Sequence, residues 1–69
     1  MTDKAVTQAE QRHRATHNVA PTHILLTEAS IDASMRLAGL SRRPTHVHGM
    51  AIIEVTLESE EGVVSLTKL

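Results

Sequence analysis

Five histidines are the residues of this 69-residue chain whose types and spacing suggest chemistry. His13 and His17 are four apart and would share one face of a helix, while His46 and His48 are two apart and would share one face of a strand. Neutral imidazoles placed in this way can ligate Zn²⁺, Ni²⁺ or Cu²⁺, with His23 as a third ligand. Neither pair has a carboxylate or a cysteine at a fixed spacing beside it. We therefore expect no native metal site and no cofactor, and we keep the four paired histidines as weak candidates.

Arginines form the second chemical feature, because they cluster although the formal net charge is only −1. Arg36, Arg42 and Arg43, with His46 and His48, make one positive segment, and Arg12 and Arg14 make another. The acidic side chains concentrate near the C-terminus, at Glu54, Glu58, Glu60 and Glu61. Such a polarised chain favours a surface that faces phosphates. The alternative is a solvated loop that happens to contain two arginines.

The stretch from Ser30 to Thr45 resembles the first helix and turn of helix-turn-helix DNA-binding proteins. A helix ends there in Ala38-Gly39-Leu40-Ser41, and Arg, Pro and Thr follow. The resemblance implies that a recognition helix begins at Ser41, Arg42, Arg43, Thr45 and His46, touching phosphates or base edges, with a winged hairpin after it. Arg36, Arg12 and Arg14 would add phosphate contacts. The match covers less than a third of the chain, and the segment from Thr45 to Gly49 is β-prone where a helix is needed.

Composition excludes several classes of protein. The chain has no Cys, Phe, Tyr or Trp, which removes disulfides, cysteine zinc sites and base-stacking aromatic platforms. Its three glycines are far apart, so no glycine-rich phosphate loop is present, and no nucleophile arrangement stands out. No apolar run approaches the roughly 18 residues of a membrane span, and the N-terminus lacks a signal-peptide core. We expect a cytoplasmic protein that is not an enzyme and has no catalytic residues.

Two helices and one strand are predicted in the first half. Residues 2–17 are polar and favour helix, with an apolar stripe reduced to Val6, Ala9 and His13, so that 1–17 would be a polar helical arm. Residues 22–26 predict a short strand or an extended segment that leads into the next helix. The next helix, 28–38, has explicit ends: Thr27 is a good N-cap, and Gly39 supplies the left-handed residue of a Schellman motif.

The last third predicts a β-hairpin with strands at about 46–58 and 63–69. Apolar residues alternate from Val47 onward, and Ser59 to Gly62 read as a four-residue turn. Pairing Glu58 with Val63 places every apolar residue of the hairpin end on one face, with positive φ at Gly62.

The first half of that long strand is apolar on both faces, and a strand of this kind needs cover on both sides. Helix 28–38 can cover one face, and the N-terminal helix or a second subunit would cover the other. A chain this short also has little core of its own. We therefore predict one α+β domain over 1–69 that forms a homodimer, with Met50, Ile52 and Val47 at the interface. The expected function is a regulatory module that binds DNA through its arginines. The alternative is a homo-oligomeric adaptor or assembly protein whose β surface binds a protein or a small ligand.

Overall fold

Strand, helix and strand follow one another from residue 23 onward, and this order organises the molecule. The computed structural model describes residues 3–66. It contains two helices, Asp3–His17 (α1) and Glu28–Ala38 (α2), and four strands. The strands are His23–Thr27 (β1), His46–Val47 (β2), Met50–Val55 (β3) and Gly62–Val64 (β4), with a 3₁₀ turn at Glu58–Glu60. The predicted α+β class is confirmed, as are the two helices and the short first strand. No described helix has both the length and the apolar character needed to cross a membrane.

Helix α2 has the ends that its sequence predicts. The Thr27 hydroxyl accepts a hydrogen bond from the Ser30 amide at 3.3 Å, which satisfies one open donor of the first turn. At the other end Gly39 adopts φ 65°, and the Leu40 amide donates to the Met35 carbonyl at 2.9 Å. This is the Schellman arrangement, and it depends on glycine because a side chain disfavours that backbone region.

The sheet has the order β2-β3-β1-β4, and this order corrects the predicted hairpin. β1 runs parallel to β3, with Ile24 opposite Ile52, and antiparallel to β4, with Ile24 opposite Val63. The strands near 50–58 and 63–66 therefore do not pair with each other, because β1 lies between them. The Glu58–Val63 register is wrong for the same reason. Residues 67–69 of the predicted second strand lie outside the described part.

The long strand predicted from 46 to 58 is interrupted by a tight turn. His48 and Gly49 adopt φ 50° and 81° between β2 and β3, the conformation of a two-residue hairpin turn. Positive φ was expected at Gly62 and occurs here instead. Because the turn reverses the chain, Val47 lies opposite Met50 and shares its face.

The core lies between the two helices and one face of the sheet. Among residues 3–66, five apolar side chains are buried: Val6 of α1, Ile31 of α2, and Ile24, Leu26 and Met50 of the sheet. Partly buried Met35, Val47, Ile52 and Val63 pack against them. Every sheet residue of this set points to the same face in the observed register, so both helices cover that face.

Helix α1 contacts the rest of the described structure through polar groups as well as through Val6. His13 Nε2 is hydrogen-bonded to Ser65 Oγ at 3.1 Å, beyond the end of β4. His48 Nδ1 lies 2.7 Å from Glu10 Oε1, which joins the β2–β3 turn to the same helix. The stripe of Val6, Ala9 and His13 is thus the side of α1 that faces inward.

Candidate functional site

The face of the sheet that points away from the helices is apolar. We call this surface the open sheet face; it consists of Leu25 of β1, Ala51, Ile53 and Val55 of β3, and Val64 of β4, with His23 and His46 at one end. All five apolar residues retain partial exposure, and Ile53 is 37% exposed. Their alternation with the buried Ile24, Leu26 and Met50 follows from the period of two along a strand.

Two leucines in the segments that follow β3 and β4 are also exposed. Leu57 follows β3 and is 59% exposed, and Leu66 follows β4 and is 54% exposed. Contiguous apolar surface on a protein commonly marks a binding interface, whereas single exposed apolar residues are ordinary. The open sheet face belongs to the first kind because its residues come from three adjacent strands.

The predicted interface residues lie elsewhere. Met50 is 2% exposed and belongs to the core of the single chain, and Val47 and Ile52 pack against that core under the helices. The sequence pattern correctly indicated that β3 is apolar on both faces. Both helices lie on the face that carries Met50 and Ile52, and the break at His48-Gly49 adds Val47 to the same face.

The predicted recognition helix is not formed. His46 and Val47 are a strand, and His48 and Gly49 form the turn that follows it. Ser41, Arg42, Arg43 and Thr45 lie in the connection before this strand and are exposed. Without a second helix this segment has no rigid element to place in a DNA groove, so the correspondence to a helix-turn-helix ends at Leu40.

The arginines fall into two groups that differ in their electrostatic environment. The Arg43 guanidinium donates a hydrogen bond to Glu54 Oε1, and this contact with the Glu54 charge raises the pKa of Arg43. Within residues 3–66 the other four form no ion pair and are exposed: Arg12 and Arg14 on α1, Arg36 in the last turn of α2, and Arg42 in the connection. We call these four the free arginines. They lie on the helices and the loop that follows, not on the open sheet face.

The histidine pairs are arranged differently from each other. The rings of His13 and His17 have centroids 4.5 Å apart, as expected for a shared helix face. His46 and His48 do not share a strand face, because the strand ends at Val47. Over the described part of the chain, no group of three or more His, Cys, Asp or Glu side chains is placed to hold a metal ion.

One structural contact, between Glu61 and Thr27, has no signal in the local sequence. Glu61 Oε2 accepts hydrogen bonds from the Thr27 amide at 2.9 Å and from the Thr27 hydroxyl at 3.0 Å. Burial acts to raise the pKa of Glu61, but hydrogen bonds from Ser30 and Thr27 outweigh it, so the pKa is lowered. The residues are 34 positions apart, and no local pattern signals such a contact.

A shallow apolar cleft of about 380 Å³ lies on the helix side, between α1, the end of α2 and β2. Its walls include Val6, Leu37, Leu40 and Val47. Leu37 is 80% exposed, so the cleft is open to solvent along α2. Ser34, His46 and His48 also line this cleft, so polar groups stand beside its apolar walls. Comparison with protein-family models, with curated proteins and with solved structures finds no match to this chain.

Proposed function

We propose that this protein is a small non-enzymatic assembly module in which the open sheet face of one chain packs against that of a second copy. The observation that supports the proposal is the position of Leu25, Ile53 and Val55 on neighbouring strands of a face that neither helix covers. Face-to-face packing of two sheets would remove this apolar surface from water, and a two-fold arrangement lets the same residues meet on both sides.

The accessible surface is consistent with a chain that buries more area in a complex. The chain exposes 5129 Å². A monomer of its mass, 7.5 kDa, is expected to expose about 4,200 Å². The excess of roughly 900 Å² is close to the ~800 Å² that each partner contributes to a standard interface. Packing against one additional copy would therefore reduce the accessible surface of the chain to about the area expected for its mass.

The test is the oligomeric state of the intact chain measured by sedimentation equilibrium. We expect a dimer that Ile53→Glu weakens by at least about 100-fold, because a carboxylate would be buried twice across the two-fold interface. Leu37→Glu is the matched control, since it places the same charge at an exposed leucine on the helix layer. A monomeric wild type would overturn the proposal. A dimer that persists in Ile53→Glu but dissociates in Leu37→Glu would also overturn it.

We also propose binding of nucleic acid as a second function, which is supported by the exposure of the free arginines. Without a recognition helix the contacts would be to phosphates, and affinity would fall steeply with salt and show little sequence preference. Fluorescence anisotropy with a generic duplex tests this. We expect Arg36→Ala with Arg42→Ala to weaken binding several-fold, and Arg43→Ala to have a smaller effect because Glu54 already neutralises that guanidinium. Equal effects of Arg42→Ala and Arg43→Ala, or no binding at about 50 mM salt, would count against it.

A further inference from the structure

Two histidines lie on the open sheet face on either side of one alanine. His23 of β1 and His46 of β2 are both register partners of Ala51 on the strand between them. Residues opposite one another on adjacent strands point to the same face, so the Cβ atoms of both histidines point to the open sheet face beside the Ala51 methyl group. His46 is on the edge strand β2 and therefore also borders the cleft on the helix side. Neighbouring strands are about 4.8 Å apart, which places the two histidine Cα atoms about 10 Å from each other.

Both histidines have the same local arrangement. Thr22 Oγ1 is hydrogen-bonded to His23 Nδ1 at 2.8 Å, and Thr45 Oγ1 is hydrogen-bonded to His46 Nδ1 at 2.9 Å. Metal-bound histidines typically have such a partner on the nitrogen that does not bind the metal, since it fixes the ring and the tautomer. When Nδ1 carries the proton, the Nε2 lone pair is the ligand. Among the described residues, neither Nε2 is engaged by another side chain.

We infer that His23 and His46 form half of a Zn²⁺ site that a second copy of the chain completes, an inference that rests on the self-association proposed above. One chain supplies two imidazoles, whereas a closed zinc site takes four ligands. A two-fold axis beside Ala51 would bring four together. Sheets packed face to face are about 10 Å apart, so the metal would lie about 5 Å from each sheet, within reach of an imidazole.

The other histidine pair is a poorer cation site. His13 already uses Nε2 in its contact with Ser65, and Arg12 lines the same groove as His13 and His17. A guanidinium beside a cation opposes its binding. The His23 and His46 pair has the small apolar Ala51 between its members instead.

The experiment measures Zn²⁺ binding by calorimetry and the oligomeric state by sedimentation, each with the intact chain. We expect about one Zn²⁺ per two chains, and at least a tenfold loss of affinity in His23→Ala and in His46→Ala. His17→Ala is the matched control and should leave both the affinity and the stoichiometry unchanged. Circular dichroism verifies that each variant is folded.

The outcomes separate the two proposals. A chain that is dimeric in EDTA but binds no Zn²⁺, or binds it equally well in His23→Ala and His46→Ala, overturns the metal site and leaves self-association standing. Loss of binding in His17→Ala places the metal on α1 and also overturns it. A chain that stays monomeric with and without Zn²⁺ overturns both. A chain that is monomeric in EDTA and dimeric with Zn²⁺ supports the metal site. It also overturns the proposal that apolar packing alone holds the dimer together.

Discussion

Glu61 connects the segment before β4 to the start of α2, and its replacement by glutamine should destabilise the fold measurably. The Glu61 carboxylate accepts two hydrogen bonds from Thr27, the residue that also caps α2. Both bonds end on the same oxygen, Oε2, so a glutamine can still accept them, but through a neutral amide oxygen without the negative charge of the carboxylate. Hydrogen bonds to a charged group contribute about 1.5–3 kcal/mol, and a carboxylate at a helix N-terminus gains about 0.5 kcal/mol more. Because Glu61 is only half-buried, we expect a net loss of about 1–2 kcal/mol.

Thermal unfolding followed by circular dichroism measures this loss. For a domain of this size each kcal/mol shifts Tm by about 4–8 °C, so Glu61→Gln should lower Tm by about 5–15 °C near neutral pH. Glu60→Gln is the matched control, because that carboxylate is exposed in the neighbouring 3₁₀ turn and should change Tm by less than about 3 °C.

The pH dependence adds an independent check. The pKa of Glu61 is lowered in the folded state from its ordinary value of 4.5. A lowered pKa stabilises the fold above the unfolded value, and this contribution disappears as the pH falls through the folded value. The difference between the wild type and Glu61→Gln should therefore shrink below about pH 4. An equal Tm at neutral pH, or a difference that persists unchanged in acid, would refute the assigned role of the carboxylate.

The remaining predictions concern packing and backbone geometry. Ile31→Val should cost about 1 kcal/mol in urea unfolding because Ile31 is 1% exposed, and Leu37→Ala, at 80% exposure, should cost less than about 0.5 kcal/mol; equal costs would contradict the observed core. Gly49→Ala should destabilise by about 1–2 kcal/mol since φ is 81° there. Gly62→Ala, which has open space for a Cβ and no positive φ, should be neutral or stabilising. If Gly62→Ala is less stable than Gly49→Ala, the assignment of the turn to His48-Gly49 is wrong.

Features encoded by adjacent residues were predictable, and α2 is the example. Its N-cap, its left-handed C-terminal glycine and the Leu40 contact each depend on residues within one or two turns of the helix end. The chemistry of Thr27 and Gly39 decides their conformation with little help from the rest of the chain. For this reason both ends of α2 were placed correctly.

The pairing of the strands was not predictable in the same way. Segments 50–57 and 63–66 are close in sequence, and a hairpin between them would place their apolar residues on one face. In the structure β1 lies between these segments and pairs with both of them. The sequence feature that indicates the parallel pairing of β1 and β3 is the order strand, helix, strand over residues 23–55. This order favours two parallel strands joined by a crossover helix. The tight turn at His48-Gly49 also has only a weak local signal, since histidine at positive φ is uncommon. An unbroken strand would place Val47 on the face opposite to Met50, whereas the turn places both on one face.

The open sheet face and the free arginines lie on opposite layers, and this separation determines how the two proposed functions combine. Packing two sheets face to face leaves α1 and α2 outermost on both sides, so the free arginines of both chains remain exposed to a polyanion. Two linked weak sites bind a single long partner more tightly than either alone, without any new contact. Disrupting the sheet face should therefore weaken binding to long nucleic acid and leave binding to short fragments unchanged. Removing Arg36 and Arg42 should weaken both while the dimer persists, because neither side chain belongs to the open sheet face.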